Sequence, residues 1–161
     1  MLKLGPNSAR ALEALEEQGI SAWPSQTDQP VLPREISSLT STELSNYFTR
    51  LTAWSDYVAV QLSAAQVDEV TIEKQLTAIQ NNLLNSKMSS AVKGDRITLV
   101  KAQVSQDPKV IKLEKEWLEV YAYRKMVETI YNNLDRDTTL ISREISRRSG
   151  DQTMRKGSRS T

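Results

Sequence analysis

Near the C-terminus, Arg143, Arg147 and Arg148 stand at i, i+4 and i+5, so a helix through them carries a basic side. Arg155, Lys156 and Arg159 extend that charge into the last residues. A second group, Lys87, Lys93, Arg96 and Lys101, falls in a connection that also holds Ser89, Ser90 and Thr98. Guanidinium, ammonium and hydroxyl donors in such clusters suit phosphate oxygens, and tyrosines such as Tyr121, Tyr123 and Tyr131 can stack bases. The plainer alternative is a helix C-terminus whose cations complement the helix dipole, followed by a solubilising tail.

Other chemistry is poorly supplied. The chain has no His and no Cys, which removes the commonest general base, nucleophilic triads, thiolates and disulfides. Carboxylates pair at Asp68-Glu69 and at Asp135/Asp137, but adjacent residues on a helix point about 100° apart, so Asp68 and Glu69 do not converge. Asp135-Arg136-Asp137 beside Asn132-Asn133 is the one group with any claim on a divalent ion, and a solvated charged face explains it better. The glycines, at 5, 19, 94, 150 and 157, are too scattered for a phosphate loop. The expectation is a non-enzyme without cofactor or metal.

The elements that position these groups are helices. Residues 7–18 read as a short helix capped by Asn7 or Ser8 and stopped by Gly19. Pro24, Pro30 and Pro33 then impose an extended arm, with Trp23 and Leu32 as anchors. Thr40 and Glu43 form a capping box, and a heptad rhythm follows through Leu44, Phe48, Leu51, Val58, Leu62, Ala65, Ile72, Leu76, Ile79 and Leu83. Ser55 and Glu69 break it. Asp107-Pro108 opens a second long helix with a seam of Val110, Leu113, Trp117, Val120, Val127, Tyr131, Leu134, Ile141 and Ile145, broken by Arg124 and Thr138. Between them Gly94-Asp95 marks a turn, and residues 96–104 suit a short helix or a strand.

The expected fold is all-α: a long antiparallel helical hairpin with a short N-terminal helix and an extended arm. Residues 1–39 form the short helix and proline-containing arm, 40–149 the hairpin (helices about 41–85 and 108–148), and 150–161 a basic disordered tail. The second long helix has an apolar flank besides its seam, and Trp117, Leu118, Tyr121, Met126 and Ile130 are the candidate interface of a homo-oligomer. Apolar residues are 39% of the chain, against the ~45–50% usual in globular domains, as narrow buried stripes require. Charge is segregated: residues 87–106 carry four cations against Asp95, whereas 41–86 carry only Arg50 and Lys74 against five acids. No leader or spanning segment is apparent, which places the chain in the cytoplasm of the cell that makes it.

Three stretches carry a resemblance: Asn46-Tyr47-Phe48-Thr49-Arg50-Leu51-Thr52-Ala53-Trp54 opening a long helix, Val104-Ser105-Gln106-Asp107-Pro108-Lys109-Val110 opening the next, and Leu140-Ile141-Ser142-Arg143-Glu144-Ile145-Ser146-Arg147-Arg148 closing it. Their order resembles that of phage recombination mediators of the UvsY type. The resemblance covers roughly residues 44–148 and implies a helical ring that binds single-stranded DNA and assists recombinase loading. The chain departs from that pattern in its N-terminal arm of about 40 residues and in its formal net charge of +1. A phage small terminase subunit acting on duplex DNA in packaging, with a large terminase as partner, is the second reading. A phage assembly component that binds only protein is the third.

Overall fold

The computed structural model describes residues 5–19, 28–90 and 97–157, and the side chains of all of these except 90 and 152–157. Four α-helices and one 3-10 turn account for most of them: α1 (Pro6–Glu17), the 3-10 turn Ile36–Ser38, α2 (Ser41–Ser90), α3 (Ile97–Ser105) and α4 (Pro108–Gly157). There is no strand among the described residues, and the ambiguous 96–104 stretch is helical from Ile97. The chain divides into two compact units, one of residues 1–14 and 63–126, the other of 15–62 and 127–161.

Both long helices begin as their capping residues dictate. The Glu43 carboxylate accepts from the Thr40 backbone N–H at 2.7 Å, while the Glu43 N–H donates to the Thr40 hydroxyl at 3.2 Å. At α4, Asp107 accepts from the Lys109 N–H at 2.9 Å, and Pro108 takes the first helical position. The cap of α1 differs from expectation. Pro6 is its first residue, and Gly5, not Asn7 or Ser8, precedes it, with the Ala9 N–H donating to the Gly5 carbonyl at 2.9 Å. Gly19 ends the turn after α1 with φ of 76°, as expected of a left-handed stop.

In the second unit, the start of α2 packs antiparallel on the later half of α4. Its core repeats every seven residues, Leu44, Leu51 and Val58 from α2 with Val127, Leu134 and Ile141 from α4. The arm lies along this pair: Pro30 is buried, Leu32 is half-buried, and residues 29–34 and 36 line a groove with Asn133, Arg136, Asp137 and Leu140. Trp23, the other expected anchor, lies outside the described residues. The first unit contains the rest of α2, all of α3 and the opening of α4, again antiparallel, since Glu69 meets Arg124 and Gln80 meets Glu114. Its buried apolar side chains are small: Ala64, Ala65, Val100, Val104 and Val110.

The expected end of α4 near Arg148 is a correction. The helix runs through Gly150 to Gly157, so the tail assigned as disordered from 150 is helical over most of its length. Gly150 has no positive φ. Glycine permits a left-handed stop but does not compel one, and Arg147 bonds across this point to Asp151 at 3.1 Å.

Candidate nucleic-acid interface

The basic residues read from the sequence fall into two sets, one in each unit. In the first unit Lys101 is exposed on α3 and Lys87 is half-buried near the end of α2. Lys93 and Arg96, assigned to the same set, lie outside the described residues. In the second unit Arg143, Arg147 and Arg148 project from α4, and Arg155 and Lys156 fall in its last turns, where only the backbone is described.

The three arginines of α4 are not equivalent. Arg148 is turned inward: its guanidinium donates to the Leu39 carbonyl at 2.6 Å, the Ser37 carbonyl at 2.9 Å and the Glu144 carboxylate at 2.8 Å. It fastens the end of the arm to α4 and satisfies two carbonyls that precede α2. Arg147 is more open, its side chain 58% exposed, although it bonds Glu144 at 2.8 Å and Asp151 at 3.1 Å. Arg143 is exposed one turn before it. Hydrogen bonds from Arg147 first, and then from Arg148, hold the Glu144 carboxyl at about 2, well below its ordinary 4.5. Glu144 in turn raises the already high value of Arg147, so the guanidinium stays charged at any physiological pH.

Arg136, Arg143 and Arg147 stand at i, i+7 and i+11, which keeps them on one face of α4. Arg136 is mostly exposed and bonds its neighbour Asp137 at 3.1 Å. Arg143 and Arg147 are separated by about 6 Å of helix rise, a spacing that lets two guanidiniums reach neighbouring phosphates of an extended strand. Arg136 belongs to this face but was grouped in the sequence only with the acidic pair around it; an angular count around α4 finds it.

The aromatic candidates are less available. Tyr121 stacks on Trp117 at 5.3 Å between ring centroids, and the Arg124 guanidinium sits 5.2 Å from the Tyr121 ring. Tyr121, Tyr123 and Tyr131 are all half-buried. Trp117 and Tyr121, assigned to an oligomer face, therefore pack mainly within the chain, while Leu118, Met126 and Ile130 are 56%, 68% and 42% exposed.

The Asp68-Glu69 pair has structural occupations. Asp68 accepts from the Gly5 N–H and the Ser8 hydroxyl, each at 2.8 Å, and so caps α1 from a neighbouring helix. Asn7 adds a bond to Thr71. Glu69 pairs with Arg124, so two of the breaks in the apolar seams are each other's partners. No group of three or more potential metal-binding side chains occurs among the described residues. Nor is any described helix long and apolar enough to cross a membrane. Compared with known proteins, the chain matches no family model, no curated protein and no solved structure.

Proposed function

We propose that this chain is a self-associating helical accessory protein that binds nucleic acid, single-stranded in preference to duplex, through the outer arginine face of α4. The observation that carries the reading is the pair Arg143 and Arg147, one turn apart and exposed on a helix whose inward arginine, Arg148, is already spent on protein carbonyls. Copies of the chain repeat that face, and repeated weak phosphate contacts gain by avidity. Together with the likeness to phage recombination mediators, this favours a role in loading a recombinase onto single-stranded DNA. The terminase reading is less well supplied, because the described part of residues 1–40 holds one helix and a 3-10 turn, short of a helix-turn-helix.

The test is anisotropy titration of labelled single-stranded and duplex oligonucleotides over a salt series. The expectation is tighter binding to the single strand, with affinity falling steeply as salt rises. Each phosphate that a protein cation neutralises on a single strand steepens the log–log salt slope by about 0.7. Arg143→Ala with Arg147→Ala should therefore flatten it by about 1.4 for each copy engaged. Absence of binding to either strand form at low salt, or an unchanged slope in the double variant, refutes the reading.

A further inference from the structure

Among its described residues, the first unit buries small apolar side chains and leaves several large ones exposed. No apolar side chain bulkier than valine is fully buried among them, while Ile111, Leu118 and Met126 on α4 are 53%, 56% and 68% exposed. At 100° per residue these three lie along one outer face, at i, i+7 and i+15, with the exposed Ala122 between the last two. The exposed charges Lys115 and Glu119 bracket Leu118 on this face.

The pattern is nearly palindromic about Leu118. Laid antiparallel on its own copy about a two-fold axis there, the face sets Ile111 against the other copy's Met126, Leu118 against itself, and Lys115 toward the other copy's Glu119. The four charges at the centre then alternate in sign. A parallel pairing sets lysine on lysine and glutamate on glutamate, which is unfavourable at helix-contact distance. We propose that a second copy of this chain docks on α4 between Ile111 and Met126, antiparallel and two-fold symmetric about Leu118. A contact of roughly four turns on each copy stands near or below the ~1,200 Å² lower end of stable interfaces, so dissociation in the micromolar range follows. The proposal deepens the self-association half of the function proposed above and makes no use of the arginine face.

The absence of cysteine makes the test direct. Full-length Leu118→Cys, oxidised without nucleic acid, is expected to give a disulfide-linked dimer, because the axis brings the two introduced thiols together. Lys109→Cys, exposed on the opposite side of α4 from Leu118, is expected to give little. By native mass and sedimentation, Leu118→Lys should weaken the dimer at least about tenfold with helicity unchanged. Lys115→Glu should weaken it, and Lys115→Glu combined with Glu119→Lys should restore it. A monomer at about 100 µM overturns the proposal, being well above the micromolar dissociation expected. So does a dimer that neither cross-links through position 118 nor responds to Leu118→Lys. Loss of DNA binding in a protein that still cross-links at 118 refutes the nucleic-acid reading and leaves this one standing.

Discussion

Replacing Arg124 tests how the seam of the first unit is held. Arg124 and Glu69 pair with side chains only 15% and 16% exposed, on helices whose other seam positions are mostly apolar. At an effective dielectric near 20 the attraction of such a pair is about 4 kcal/mol, most of it offset by the desolvation of both ions. Removing one partner leaves the other charge desolvated and uncompensated. Fully buried pairs then lose about 3–5 kcal/mol, and the residual exposure here brings the expectation to about 2–4 kcal/mol. Arg124→Leu should be the costlier single change, since it strands a short carboxylate and also removes the cation over the Tyr121 ring. In Glu69→Leu the long arginine stem can carry its charge toward water. The double Leu variant should recover most of the loss, giving a coupling of about 2 kcal/mol or more in a double-mutant cycle. Urea unfolding followed by far-UV circular dichroism and tryptophan fluorescence supplies the four free energies. A coupling below about 0.5 kcal/mol, typical of exposed pairs, refutes the reasoning.

Two further perturbations follow from the same contacts. A Cβ at Gly5 would stand 2.3 Å from a carboxylate oxygen of Asp68, so Gly5→Ala must displace the group that caps α1. The expected loss is about 1–2 kcal/mol of α1 docking, read as faster amide exchange across Pro6–Glu17, with exchange at Leu44 and Leu51 unchanged. Acid should loosen the end of α4, because Glu144 titrates at about 2 in the folded chain against an ordinary 4.5. A lowered folded value means stabilisation that is complete above about 4.5 and lost as pH falls from there toward about 2. Glu43, lowered by the Thr40 backbone N–H and hydroxyl, acts in the same direction at the start of α2. Glu144→Gln should remove the α4 part of this acid response, measured by exchange of residues 140–150 across that pH range.

Much of the fold was legible without coordinates because it is encoded locally. The heptad rhythm that names Leu44, Leu51, Val58, Val127, Leu134 and Ile141 names the observed core of the second unit. The Thr40–Glu43 box and the Asp107-Pro108 start act within three residues, so sequence and geometry agree there. Gly19 and Gly150 separate the two kinds of information. Gly19 stops its turn in the left-handed region, whereas Gly150 stays within α4, where Glu144, Arg147 and Asp151 bond along the helix.

Sequence alone determined that the chain is dominated by two long helices, where they begin, and which heptad positions form the core of the second unit. It also marked Ser55, Glu69, Arg124 and Thr138 as breaks in those stripes. Tertiary structure decided that Glu69 and Arg124 answer each other, that Asp68 caps a helix 60 residues away in the chain, and that Arg148 faces the arm while Arg143 and Arg147 face solvent. The reason is physical. Caps and periodicity depend on residues within a turn or two, but the partner of a buried charge depends on the register of two packed helices. That register is set by many small packing contacts acting together.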